Sequence, residues 1–296
     1  MNARYTGYVF CALAMIGVGS TVVVSKPIAG GLPPFSATAL RFAIAFPIFL
    51  AMMRVLKVRW PKLDARDTLL LIAQAGAGSV GYTVCLIGGM RFASAADAGV
   101  VAGTLPAVSA VFAMLALGER PSPALLGAIA LATVGVVVCT VRFDERSDAG
   151  GGHSLVGNAL VFAAIVCEAL FILLNRKLRT PVAALPLSAM MSGIGLLVAV
   201  FPACLFEQPW RLAADPVFVG AVAGVVYYAL VPTVLGFVLW YAGSSRLSGA
   251  QAGVVTALVP VSALVLAVCL LQEAVSGAQI VGVACVLAGV FLSATR

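Results

Sequence analysis

Apolar residues fill this chain in long runs, and polar residues are confined to short breaks between them. A run of roughly 20 apolar residues is what an α-helix needs to cross the hydrocarbon core of a bilayer. Cutting at charges, prolines and turn residues gives ten spans, near 6–25, 34–53, 68–90, 95–117, 122–141, 155–175, 184–206, 216–244, 249–271 and 276–294. The first follows Arg4 as a signal peptide would. Its 21 uncharged residues are long for a signal core, and Lys26-Pro27 is not a small-residue cleavage site, so a retained helix is expected.

A second pattern overlies the first. Residues 94–142, shifted by 154, lie on 248–296 without a gap, and 17 of the 49 paired positions are identical. Ser94, Gly99, Val100, Val101, Pro106, Glu119, Ser122, Gly135 and Arg142 meet Ser248, Gly253, Val254, Val255, Pro260, Glu273, Ser276, Gly289 and Arg296. Shared apolar composition would not align prolines, glutamates and glycines in one register. A period this long means two halves. The earlier helices agree more loosely: Lys26 pairs with Lys177 at an offset of 151, and Pro34-Phe-Ser-Ala37 with Pro186-Leu-Ser-Ala189 at 152. The expected units are a first five-helix repeat, 1–142, a polar extracytoplasmic linker, 143–154, and a second repeat, 155–296.

Five crossings per repeat is an odd number, so the repeats enter the membrane from opposite sides. That is an inverted repeat about an axis in the membrane plane, a frequent transporter architecture. Counting Lys and Arg in the connections puts twelve on the side of both termini and five on the other, with Arg41 inside a span. Positive residues collect on the cytoplasmic side, so both termini are expected there.

Composition removes the competing classes. The chain is 62% hydrophobic and 10% charged, against about 45–50% and about 25% for soluble domains. The fold class is therefore an all-α polytopic membrane protein, ten transmembrane helices in two inverted repeats. The net charge of +7 follows from basic membrane loops and does not call for nucleic acid. The seven cysteines all lie in apolar runs without a C-x-x-C, which reads as small buried hydrophobes. His153 is the sole histidine, which leaves no His-based metal site or proton relay within one chain. No cofactor or metal is expected. An enzyme would need a cluster of acids, histidines or a nucleophile with its base, and Glu168 is the one acid well inside a span.

Each polar candidate has a structural and a functional reading. Ser94-Ala-Ala-Asp97 and Ser248-Gly-Ala-Gln251 have helix-capping spacing, while exposed helix starts also attract anions. Pro106 and Pro260 sit mid-span, where each frees the carbonyl four residues earlier, at Ala102 and Thr256. The resulting kinks either shape packing or serve as gate hinges, together with Gly99 and Gly253. Glu119 and Glu273 read as turn-fixing groups, each three residues before a serine that can cap the next helix. Gly76-Ala-Gly-Ser-Val-Gly81 matches a dinucleotide fingerprint but lacks its strand and βαβ context. Close packing or access to a cavity explains it instead.

Intramembrane ionisable residues are functional candidates by default. Glu168 lies about 21 Å into its span at 1.5 Å per residue, with Asn175 seven residues later on the same face. Arg41 lies about 10 Å in from the outer side by the same rise. It either snorkels outward or meets a substrate carboxylate. Gln74, Gly78, Gly81, Tyr82 and Cys85 mark one face of the third span. Phe237, Trp240, Tyr241 and Ser244 mark the equivalent face of the eighth, where they form either a pocket or an interfacial aromatic belt.

The ten-span layout, the two five-span halves, the G-V-V…P…E…S…G series in each half and Lys26 ending the first helix resemble the drug/metabolite transporter superfamily. Within it the chain resembles the EamA-type exporters, and most nearly the bacterial YddG-type aromatic amino-acid exporters. The resemblance spans the whole chain. It implies a basket of helices around a cavity lined by spans 1, 3, 4, 6, 8 and 9, working by alternating access in the bacterial inner membrane. Many relatives carry a Trp near the middle of the first helix, where this chain reads Ile16-Gly-Val-Gly-Ser-Thr21. The expected function is export of amino acids, aromatic and other apolar ones preferred. The alternative is export of another small metabolite or drug, with or without proton coupling. The expected substrate contacts are Gln74, Tyr82, Glu168, Phe171, Asn175, Phe237, Trp240, Tyr241, Gln251 and Arg41, and the expected gating positions are Gly99, Pro106, Gly253 and Pro260. Beyond substrate and lipid, the expected state is a monomer or weak homodimer.

Overall fold

The computed structural model describes residues 3–117, 151–180, 182–211, 216–246 and 258–294, with isolated helical positions between 123 and 135 and at Val255. Among these residues every regular element is helical. In order they are α1 (Ala3–Gly31), α2 (Pro34–Val55), α3 (Ala65–Gly89), α4 (Ala95–Ala102), α5 (Leu105–Leu117), α6 (Gly151–Arg176), α7 (Ala184–Glu207), α8 (216–244), α9 (Leu258–Leu271) and α10 (Gly277–Ala294). Six helices are long and apolar enough to cross a membrane by themselves, and in lipid a helix satisfies its own backbone. The fifth predicted span lies almost wholly outside the described residues.

Boundaries differ from the hydrophobic runs where a polar residue can still be satisfied. α1 continues through Lys26 and Pro27 to Gly31, because the Lys26 ammonium donates to the Ala93 carbonyl at 2.6 Å instead of ending the helix in water. α6 starts at Gly151, four residues before the apolar run. The fourth span is interrupted next to its proline: α4 stops at Ala102, Gly103 and Thr104 turn with Gly103 still helical in its backbone angles, and α5 begins at Leu105, one residue before Pro106.

Antiparallel packing relates the halves. On α2 and α7, Phe35 and Ser36 meet Glu207, and Phe42 packs on Gly195. Numbers rise along one helix as they fall along the other. The 152-residue offset makes α2 and α7 counterparts, so counterparts run in opposite senses. The α1–α8 contact recurs as the α6–α3 contact: Gly243 closes on Cys11 and Gly7, and Gly89 on Gly157 and Val161. Each repeat buries its helices against the other, in a core that includes Val22, Ile28, Leu86, Ile87, Val101, Val161, Val225 and Ala263.

Carboxylates staple the repeats together at helix ends. Glu207 accepts the Phe35 and Ser36 amides at 2.9 and 2.6 Å and the Ser36 hydroxyl at 2.7 Å. Glu273 accepts the Ala95 and Ala96 amides, both at 3.1 Å. Asp67 accepts the Arg179 and Thr180 amides at 3.2 and 2.9 Å. Glu207 and Glu273 sit at the N-termini of α2 and α4, where an anion satisfies orphan amides and the helix dipole together, while Asp67 holds the connection between α6 and α7. Glu273 therefore fixes more than its own turn: it caps α4 of the other repeat. Its turn is held by a reciprocal box, with Gln279 N donating to Ser276 Oγ at 3.2 Å and Ser276 N to Gln279 Oε1 at 2.9 Å.

Candidate functional site

Three helices lose regular α-geometry: α7 at its C-terminal end, over Ala203–Glu207, and α3 and α8 in mid-helix at equivalent points. α3 widens into a π-helical turn over Ala75–Gly81 and α8 over Ala229–Leu235. The offset is 154 at both ends, the same as in the sequence duplication. The two turns arise differently. Glycines weaken α3, whereas Pro232 interrupts α8. Pro232 has no amide hydrogen for the Tyr228 carbonyl, four residues earlier. The Thr233 hydroxyl donates to that carbonyl instead, at 2.8 Å, as a freed carbonyl in lipid requires. π-turns are rare and concentrate at functional sites.

Arg41 reaches between these turns. Its Nε donates to Thr233 Oγ1 at 2.9 Å and its Nη1 to Thr83 Oγ1 at 2.6 Å. Its guanidinium carbon lies 4.3 Å from the Tyr228 ring centre and 4.8 Å from that of Phe42. Of the two readings of Arg41, snorkelling gives way to an inward pose. The cation is drawn in by ring quadrupoles and by two hydroxyls that are themselves anchored to carbonyls of Ser79 and Tyr228. Glu168 on α6 interacts electrostatically with Arg41, and Tyr82 and Tyr228 belong to the same charged neighbourhood. α1 closes the cluster with Thr21, whose Oγ1 lies 3.4 Å from the Tyr82 hydroxyl; on its neighbouring face Ser20 accepts from the hydroxyl of the partly exposed Tyr227 at 2.9 Å.

Arg41, Tyr82 and Glu168 are thus brought together. Gln74 is fully buried one position before the π-turn of α3, and its amide has no hydrogen-bond partner among the described residues. Asn175 is exposed in the last turn of α6. The aromatic candidates separate. Phe171 packs across Gly78, where an added Cβ would collide with its ring, in a cluster with Leu71, Ala75 and Met191. Phe237 meets Phe49 edge-on at 6.4 Å. Trp240 packs beside Cys11, Ala14 and Met15 of α1. Tyr241 lies on α8, but its side chain, like that of Pro106 on α5, is outside the described residues, as are Gln251 and Gly253 altogether. Gly99 is a packing notch, since a Cβ there would stand 2.9 Å from that of Ala263 and 3.8 Å from the carbonyl of the buried Pro260.

Reading the sequence alone misses Tyr228, Thr83, Thr233, Ser20 and Thr21. One available signal was Pro232-Thr233 inside the eighth span, a helix breaker followed by a hydroxyl able to mend it. The other was the polar pair Ser20-Thr21 within the first span. The site combines a buried cation, a carboxyl group, hydroxyls and aromatic faces inside an apolar bundle.

Comparison with known proteins agrees with this architecture. A solved crystal structure of 22% identity superposes with a TM-score of 0.64, covering 98% of this chain and 96% of that one, which shows the fold. The uncharacterized transporter YetK of Bacillus subtilis is 32% identical over 293 residues, covering 98% of this chain and 87% of YetK. A probable terminal-alkyne amino-acid exporter of Streptantibioticus cattleyicolor is 33% identical over 242 residues, covering 80% of this chain and 76% of the exporter. A probable amino-acid metabolite efflux pump of Salmonella typhimurium is 28% identical, covering 96% and 93%. The profile of the EamA-like transporter family matches residues 5–141 and again 155–295, once for each repeat. With its duplication, its membrane-spanning helices and both halves matched by one profile, this chain belongs to the EamA-like transporter family and is a membrane transporter.

Proposed function

We propose that the protein exports amino acids, aromatic and other apolar ones preferred, across the bacterial inner membrane by alternating access. The observation that carries this reading is Arg41 held inward beside Tyr228, with Glu168 in its electrostatic neighbourhood. The guanidinium suits a substrate carboxylate, Glu168 suits an ammonium group, and the Tyr82 and Tyr228 rings suit an apolar side chain. The names of two relatives, an amino-acid exporter and an amino-acid metabolite efflux pump, support the same class. Both termini face the cytoplasm in this reading, following the excess of Lys and Arg in the connections on their side. Gating falls to the third, fourth, eighth and ninth spans, through Gly99, Pro106, Gly253 and Pro260 and the two π-turns.

Purified protein in vesicles, loaded with labelled phenylalanine and leucine, tests the substrate class. Efflux competed by amino acids but not by nucleosides or cationic dyes is the expected result. Competition by dyes or nucleosides alone favours export of another metabolite or drug. Glu168, an acid inside the bundle, favours a proton-coupled variant of either reading. An imposed pH gradient should then drive transport in the wild type and not in Glu168→Gln, and an equal response in both removes Glu168 from coupling.

A further inference from the structure

Arg41 is bonded to both repeats, at Thr233 within the π-turn of α8 and at Thr83 two residues past that of α3. Each hydroxyl passes the link on to a carbonyl of its own turn, Ser79 O at 2.9 Å and Tyr228 O at 2.8 Å. The guanidinium thus ties α3 to α8 across the pseudo-two-fold axis. Hydroxyls are neutral acceptors. A carboxylate makes charge-assisted bonds roughly twice as strong and takes two fork atoms at once, so it competes with both threonines for Arg41.

We propose that Arg41 is a clasp opened by cargo: in the unloaded transporter it holds the π-turns of α3 and α8 together through Thr83 and Thr233, and the substrate's carboxylate draws it off both, freeing the turns to change register. The opening step rests on the reading of the cargo as an amino acid. Thr83 and Thr233 act through Arg41 and are positioning residues. Binding and gate release become one event, because the group that recognises the substrate is the group that restrains the helices.

Hydrogen exchange of the full-length protein in lipid nanodiscs tests this, read on peptides covering 75–83 and 229–235 beside direct phenylalanine binding. Phenylalanine should speed exchange in both segments by about threefold or more, a local opening that the method reports. Phenylalaninamide, which lacks the carboxylate, should not. The double variant Thr83→Val, Thr233→Val should exchange fast without ligand, and phenylalanine should add nothing. The serine pair, Thr83→Ser with Thr233→Ser, keeps the hydroxyls and should behave as wild type. Phenylalanine that binds while both segments keep their unloaded rate overturns the clasp. So does wild-type protection in the valine pair. If phenylalanine does not bind, the cargo reading fails, yet the valine pair still decides whether Arg41 restrains the turns. Should the valine pair not fold, each single valine variant should release its own turn, and unchanged rates in both overturn the proposal.

Discussion

α3 and α8 occupy equivalent places in the two repeats and carry π-turns in the same register, yet they are built from different materials. α3 yields through glycines and presses those glycines against α6, with Gly78 under Phe171 and a Cβ at Gly81 3.0 Å from Cys167 Sγ. α8 yields through Pro232 and mends the break with Thr233. The positions before the two turns also differ: Gln74 in α3, Tyr228 in α8. The difference teaches that duplication preserved the mechanical break and left the chemistry around it free to diverge. One copy turned its break into a tight seam and meets Arg41 only past it, at Thr83; the other meets Arg41 within the break, at Thr233.

The largest expected effect breaks the seam side of this comparison. Gly78→Ala sets a methyl against the Phe171 ring and should cost about 3 kcal/mol of stability, the upper range for overpacking, read as a lowered melting temperature in detergent. Adding Phe171→Ala should return little of it, because the Phe171 Cβ itself stands against the new methyl. A neutral Gly78→Ala would mean the α3–α6 seam is loose. Next, Thr83→Val and Thr233→Val should each cost about 2 kcal/mol, as loss of a hydrogen bond to a charged group does. Measured together, they should fall short of additivity, since both act on one guanidinium. A sum that is fully additive would separate the two turns. Gln74→Met removes a buried amide that has no partner among the described residues and should raise stability by about 1 kcal/mol. It should also lower transport if the amide serves cargo, whereas a gain in stability with unchanged transport marks Gln74 as a leftover of packing. The smallest effect is the mirror of the first. In Gly236→Ala, on the α8 side, the new Cβ finds only the Val231 carbonyl at 3.5 Å, and the helix should gain about 0.5 kcal/mol from the lost backbone freedom.

Much of the fold was legible because the cost of unsatisfied backbone in lipid writes itself into the length of apolar runs, and a duplicated gene shows its register in Gly, Pro and Glu. The staples were only half legible. Glu273 could be placed at a helix end, but that it caps α4 of the other repeat depends on which helices touch. The site was legible in its charges and obscure elsewhere. Arg41 and Glu168 stand out because charge is rare in these spans. Phe171, Phe237 and Trp240 do not declare their direction: in a helix apolar all round, no contrast between faces says which side looks inward, and they settle in three separate packing clusters. Thr83 and Thr233 were hidden for the related reason that a threonine in a membrane helix ordinarily bonds its own backbone. Here they do that and serve Arg41 as well.

Arg41 and Glu168 have no charged counterparts. At the repeat offsets of 152 and 151, Arg41 falls opposite Gly193 and Glu168 opposite Gly17. In the alternating access proposed above, identical repeats would make the two open states rotated copies of equal energy, a revolving door with no preferred direction of rest. One cation donated by the first copy and one acid by the second remove that degeneracy. The membrane potential can then weigh the two states differently, as a rectifier distinguishes the directions of current.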